Sequence, residues 1–349
     1  MDIRKNIFFK NKLWAIILVA QFLLFYILSK FTFAIDFFSG VFEWKKDLHI
    51  LLFSEIDFSF GDLIYILSVV LLIYFLVSLI RNRKSKYLKY ILVFINIYYF
   101  IYQFFWGLLY FQPPIIEKLQ SKTPTDAEIK NLTLKYLNLC KATREQLPEN
   151  NKGILVINDL NQIKLEILRQ QIHLPSEINT KKPVKVLAVK PSLFDSFMNK
   201  TGILGYYNPF TAEAQYNPNI PSTQLPFTLA HEMAHQLGYA REQEASFIAY
   251  LSAKNSNNKE LRYSCQLYVL KSLLRSLSKS DIAFAKNVVD LYSKKMKRDR
   301  ENELLFNKNN EGFISDFFGV TNDLFLKSNQ QDGSVTYSYF INLLLLYET

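Results

Sequence analysis

Cysteine is scarce in this chain, which contains two cysteines in 349 residues. Cys140 and Cys265 lie far apart and no Cys-x-x-Cys pair occurs, which excludes a metal knuckle made from cysteine alone. One disulfide between them is open in an oxidising compartment, and two buried thiols are the alternative. Internal repeats and low-complexity linkers are also lacking.

The chain also lacks the basic and aromatic motifs of a nucleic-acid module, although its net charge is +10. Many of the cations lie beside hydrophobic runs, where membrane topology accounts for them. We therefore expect no nucleic acid among the partners of this protein.

Three apolar runs fill the first third of the sequence and predict transmembrane helices at about 13–35, 63–80 and 88–111. A helix needs about 20 apolar residues to cross the hydrocarbon. Lys30 interrupts the first run and can extend its amine to an interface. A cleaved signal peptide is the alternative for the first run, but the run is too long and no small-x-small site follows it. The sequence thus predicts a membrane domain at 1–112, with the lipid bilayer as a partner.

Lysine and arginine set the orientation of such spans, because they are enriched in cytoplasmic loops. Only Lys45 and Lys46 lie between the first two spans. The segment before the first span and the segment between the second and third spans are richer in cations. These are Arg4, Lys5, Lys10, Lys12, Arg81, Arg83, Lys84, Lys86 and Lys89. We predict a multi-pass protein of the plasma (inner) membrane, with a cytoplasmic N-terminus and an extracytoplasmic C-terminal domain. The aromatic loop Asp36–Asp62 either lies partly in the interface or packs as a short external loop.

Residues 113–349 predict a mainly helical domain with a small β-sheet, after Pro113-Pro114 at the exit from the membrane. Thr125 and Glu128 are spaced as a capping box. The later short apolar run Tyr339–Tyr347 is typical of a buried helix.

A strand is predicted at Pro183–Val189, followed by a hairpin or strand pair within Gly202–Asn217. The prolines at 218, 221 and 226 predict a stiff loop. A helix is then expected at Thr228–Leu237, ended by Gly238.

The string His231-Glu232-Met233-Ala234-His235 falls on this helix. Histidines four residues apart share one helix face, so both imidazoles can bind one metal ion. Glu232 lies beside the first of them, where it can take a proton from a water molecule that zinc has acidified. The pattern predicts one Zn²⁺ per chain, held by His231 and His235, with Glu232 as the general base. A buried helix with two hydrogen-bonded histidines is the alternative.

A catalytic zinc site needs a third protein ligand. Glu242 and Glu244 follow soon after the helix, and both could instead be acids that favour a helix N-terminus. We predict Glu242, because Ala245 and Ala249 share its helix face and would let the second helix approach closely. Glu244 shares its face with Ile248 and Leu251 and is the runner-up.

These residues resemble the gluzincin clan of metallopeptidases, in which Glu-x-x-Ala follows His-Glu-x-x-His. The clan implies a zincin-like domain and selects Glu242 as the third ligand. The chain is similar more specifically to the bacterial family DUF3810, whose motif is like the stretch from His231 to Ala245. Similar stretches are Phe58–Asp62, Gly202–Ala214, and Asp332-Gly333 leading into Tyr337. Ser246 stands where relatives have Asn or Asp.

Two functions follow. The first is a membrane-bound zinc metalloendopeptidase that hydrolyses a peptide or protein substrate. For that reaction Tyr206, Tyr207, Arg241 and Tyr337 are candidates to stabilise the oxyanion, with aromatic packing and a surface ion pair as the alternatives. The second is a non-catalytic membrane sensor or assembly factor that keeps a zincin fold. An intact Glu232 favours the enzyme, because a structural role does not need it.

Overall fold

The computed structural model describes residues 3–119, 124–329, 331–333 and 339–348, and side chains from residue 11 onward. The chain divides into two compact units. Unit 1 comprises Met1–Gln112 and Asn208–Ala212, and unit 2 comprises Pro113–Tyr207 and Glu213–Thr349.

Unit 1 contains three helices that are long and apolar enough to cross a membrane. They are α1 (Ile3–Leu28), α3 (Phe60–Asn82) and α4 (Ser85–Phe105). Many of their large apolar side chains are exposed, which is typical of a surface in contact with lipid.

The three helices alternate in direction. Asn11 of α1 donates to Ser85 at the start of α4, while Phe25 near the end of α1 packs on Phe100 with ring centroids 5.7 Å apart. α1 and α4 are therefore parallel. Phe75 packs on Tyr90 and Ser68 bonds to Tyr98, so α3 runs antiparallel to α4. The cation-rich segments consequently lie together at one end of the bundle.

The first predicted span is wrong at its C-terminal end. α1 ends at Leu28, and a separate helix α2 follows after three intervening residues and extends over Thr32–Ser54. The turn at Ser29 and Lys30 breaks the run because the Ser29 hydroxyl bonds back to the Tyr26 carbonyl, 2.7 Å away. The third span is also shorter than predicted: α4 ends at Phe105, and a 3-10 helix follows at Gly107–Phe111.

The segment Asn208–Ala212 belongs to unit 1 through its contacts. The ring of Phe210 packs on Tyr65 and Tyr98, with centroids 5.9 and 5.1 Å away. The buried amine of Lys45 donates to the Pro209 carbonyl. Burial lowers the pKa of Lys45 to about 7.

Unit 2 consists mainly of helices. They are α5 (Asp126–Arg144), α6 (Leu160–Gln170), α7 (Asp195–Thr201), α8 (Leu225–Leu237), α9 (Glu242–Lys254), α10 (Lys259–Leu277), α11 (Ile282–Asp290), α12 (Lys294–Asn310), α13 (Phe313–Ser328) and α14 (Phe340–Glu348). α8 packs against α9, α10 and α6. α14 buries Phe340, Ile341 and Leu343–Leu345, as the short apolar run predicts.

A three-stranded sheet with the order β1-β3-β2 covers α8. The predicted strand pair is β2 (Gly205–Tyr207) antiparallel to β3 (Ala214–Tyr216). The strand predicted at Pro183–Val189 is wrong in position, since β1 extends over Val189–Pro191 and pairs parallel with β3. The position of β1 is set by its non-local pairing with β3 and not by the apolar residues that precede β1 in the sequence.

Local signals place the ends of α5 and α8. The capping box of Thr125 and Glu128 is confirmed. α8 ends where predicted, at Gly238, whose φ of 111° lies in the left-handed region. It begins earlier than predicted, at Leu225, because Pro226 is in its first turn, where a missing N–H costs no hydrogen bond.

Candidate metal centre

His231 and His235 lie one turn apart on the same face of α8. Their ring centroids are 4.8 Å apart and the ring planes are perpendicular. His235 is buried and His231 partly buried. Leu229, Met233 and Leu237 of α8 are fully buried, and this packing anchors the helix that carries the two histidines.

Glu242 meets both imidazoles from the start of α9. Six residues separate it from His235, and the left-handed turn at Gly238 reverses the chain within them. The Oε2 atom of Glu242 lies 3.1 Å from Nε2 of His231 and 3.6 Å from Nε2 of His235. One potential ligand atom from each residue falls within 4.8 Å of the others.

Glu244 points elsewhere. Its Oε1 accepts a hydrogen bond from the Ile115 backbone N–H at 2.9 Å and lies 3.0 Å from Nη1 of Arg241. The arrangement therefore brings Glu242, and not Glu244, to the two histidines.

The second nitrogen of each imidazole has its own partner. Nδ1 of His231 lies 3.1 Å from Oγ of Ser246, to which the Tyr268 hydroxyl donates at 3.1 Å. Nδ1 of His235 lies 2.6 Å from the Tyr239 carbonyl. Such partners fix the orientation of an imidazole and leave Nε2 as the metal-binding atom.

The electrostatics of the cluster suit metal ligands. Burial keeps the pKa of His231 below its usual value, which favours a neutral ring. Burial opposes the charge on Glu242, but His235 and His231 together outweigh it and hold the pKa of Glu242 well below the usual range. Burial also opposes the charge on His235, but Glu242, Glu232 and the Tyr239 carbonyl together outweigh it and raise the pKa of His235 to about 9. A cation bound to the Nε2 atoms would balance the negative charge of Glu242 in place of the proton on His235.

Glu232 is 4% exposed, and its buried Oε2 has no hydrogen-bond partner among the described residues. Burial raises the pKa of Glu232 to about 8. An unsatisfied buried carboxyl group destabilises a fold, so its presence beside the two histidines points to a function.

Gly205 of β2 lies directly against Glu232. A Cβ atom at position 205 would stand 2.7 Å from both Cγ and Oε1 of Glu232 and 2.9 Å from the Gln215 carbonyl. Only glycine leaves room here for the edge strand and the carboxyl group together.

Zinc fits these residues. Two imidazoles and one carboxylate form a ligand set of catalytic zinc sites, in which a fourth position stays open. The fixed Nδ1 atoms, the converging ligand atoms and the unsatisfied Glu232 oxygen all agree with a cation at this point.

Three of the four oxyanion candidates lie among the described residues. Arg241 is paired with Glu244 and the Tyr206 hydroxyl lies 3.3 Å from Oγ of Ser192. Tyr207 is buried, and Tyr337 lies outside the described residues.

A residue that the sequence did not single out is Gln331, whose Oε1 accepts a hydrogen bond from the Glu242 backbone N–H at 3.1 Å.

Gly205 and Tyr268 were also missed. A lone glycine in a strand signals a close backbone approach, so Gly205 could have been found. Tyr268 carries no local signal, because it reaches Ser246 from α10.

The comparisons with known proteins give a family. The family DUF3810, described as a protein of unknown function, matches residues 37–345. No curated protein and no solved structure matches the chain. Because the matched region covers most of the sequence, including the candidate metal centre, the chain belongs to the DUF3810 family.

Proposed function

We propose that this protein is a membrane-bound zinc metallopeptidase whose soluble domain is zincin-like. The observation that carries the proposal is the meeting of His231, His235 and Glu242 beside the unsatisfied carboxyl group of Glu232. In this proposal His231, His235 and Glu242 hold one Zn²⁺ and Glu232 is the general base.

Each residue has a role in peptide hydrolysis. When bound, zinc supplies a Lewis acid that polarises the scissile carbonyl and lowers the pKa of a water molecule. Burial favours the protonated form of Glu232, but beside a bound cation the carboxylate is favoured. This carboxylate accepts a proton on Oε2 and later donates it to the leaving amine. Ser246 and the Tyr239 carbonyl keep the two imidazoles oriented.

A peptide substrate suits the position of β2. This strand is at the edge of the described sheet, and Gly205 brings its backbone against Glu232. An extended peptide that adds to a sheet edge gains main-chain hydrogen bonds without a particular side-chain sequence. Such a peptide beside β2 would bring its carbonyl groups close to the general base.

A non-catalytic zinc protein is the competing function, and Glu232 argues against it. A structural zinc site usually has four protein ligands, whereas three converge here among the described residues. Burial of an unsatisfied carboxyl group also has no benefit in a purely structural site.

The test is hydrolysis of fluorescent casein by the full-length protein in nanodiscs, loaded with zinc. We expect hydrolysis by the wild type and none by Glu232→Gln, with one zinc per chain in both. A zinc-loaded wild type that leaves casein and a random peptide library intact would favour the non-catalytic function.

A further inference from the structure

α2 has two exposed sectors of different chemistry beside its buried face. One stripe of exposed apolar side chains extends along the helix: Phe33, Phe37, Trp44, Leu48 and Leu51. Asp36 and Asp47 are exposed on one side of this stripe. The charged residues Lys45 and Lys46 are fully buried on the protein side, so the stripe itself carries no charge.

This helix cannot be counted as a fourth span. It contains five charged residues within 23, Asp36, Glu43, Lys45, Lys46 and Asp47, and it is not among the helices that are apolar enough to cross a membrane. Charge of this density is costly at the centre of a bilayer.

Both ends of α2 are tied to the same end of the span bundle. Three residues join it to the end of α1, and five residues, 55–59, join it to the start of α3. α1 and α3 are antiparallel in the bundle, so these two connections lie at one side of the membrane.

α2 lies across the end of α4 and not alongside it. Phe38 packs on Phe104 with centroids 5.2 Å apart, and His49 packs on Phe105 at 5.9 Å. Phe38 and His49 are eleven residues apart, about 16 Å along α2. Their partners are nevertheless neighbouring residues in the last turn of α4. Only a helix that is steeply inclined to α4 can make both contacts.

We propose that α2 is an interfacial helix that lies in the plane of the membrane, in the leaflet where α1 and α4 end. Its apolar stripe is immersed at the boundary between headgroups and acyl chains, about 5–10 Å deep, and Asp36 and Asp47 face the water. Lipid is the occupant because only three residues join α2 to α1, a candidate span whose Phe22 and Tyr26 are also exposed. Trp44 in the stripe is a residue type enriched at this depth.

The experiment uses the full-length protein in phosphatidylcholine nanodiscs, with single cysteines spin-labelled at Phe33, Trp44 and Leu51. The native Cys140 and Cys265 are buried, and the unsubstituted protein is the control for their labelling. The measurement is the ratio of collision with oxygen, which enters lipid, to collision with a water-soluble nickel complex. A label at Ile73, exposed at the middle of α3, serves as the deep reference.

We expect the same ratio at all three stripe positions, lower than at Ile73 and higher than at Asp36→Cys and Asp47→Cys. A ratio that peaks at Trp44, or one that changes steadily from Phe33 to Leu51, would overturn the proposal, because α2 would then cross the bilayer or enter it at a steep angle. Collision mainly with the nickel complex at the stripe would also overturn it, as would labels shielded from both reagents, which would indicate a protein partner.

Discussion

Gly205 and Glu232 are in van der Waals contact, and the position of a Cβ at 205 would overlap the Glu232 side chain at 2.7 Å. The contact joins the edge strand β2 to the catalytic glutamate that we propose. In the proposed function, a peptide added to β2 would lie beside this glutamate.

We expect Gly205→Ala to abolish most hydrolysis while zinc is retained, because the methyl group displaces Glu232 or β2 and leaves the metal ligands in place. Peptidase rate and zinc content of the purified protein are the measurements. Gly319→Ala is the matched control, since nothing lies within 4 Å of that position. Normal activity in Gly205→Ala would refute the role given to this contact.

Glu232→Gln should keep the fold and the zinc and lose hydrolysis, because glutamine retains the shape of the side chain and cannot act as the base. Its melting temperature should be no lower than that of the wild type, since a neutral amide replaces a buried carboxyl group whose charge burial opposes. Thermal unfolding and metal analysis check both points. Wild-type turnover would exclude Glu232 as the base.

Ser246→Ala should weaken zinc binding by about 10- to 100-fold, the usual effect of removing a partner of a ligand histidine. The change leaves Nδ1 of His231 without its Ser246 contact. Ser252→Ala is the control in the same helix, because Ser252 bonds only to the Ile248 carbonyl one turn earlier. Equal zinc affinity in the two variants would show that Ser246 does not position His231.

Reporter fusions test the orientation. The lysine and arginine distribution predicts activity of a cytoplasmic reporter joined after Lys12, and of an exported reporter joined at Thr349. Because α1 and α4 are parallel, the segment before α1 and the segment after α4 must lie on opposite sides of the membrane. Two reporters active on the same side would contradict three crossings.

The sequence predicts the features that depend on short spacing. His231, His235 and Glu242 lie within twelve residues, so helix periodicity and one glycine turn bring them together. Ser246 and Tyr268 meet only because α10 packs beside α9, and periodicity does not encode that packing. The sequence predicts a loop over much of α2, because the charged residues of this segment interrupt the pattern of its apolar stripe. β1 was misplaced because a three-residue strand is defined by its partner β3.

The central claim is that His231, His235 and Glu242 hold one zinc ion, and the most direct test is the zinc content and affinity of two matched variants. Glu242→Ala should weaken binding by several kcal/mol, because an open three-ligand site has no spare ligand. Glu244→Ala should keep the zinc, since Glu244 bonds to Arg241 and the Ile115 N–H. One zinc per wild-type chain, lost in Glu242→Ala and kept in Glu244→Ala, is the predicted result. Zinc kept in Glu242→Ala, or a wild type with well under one equivalent, would contradict it.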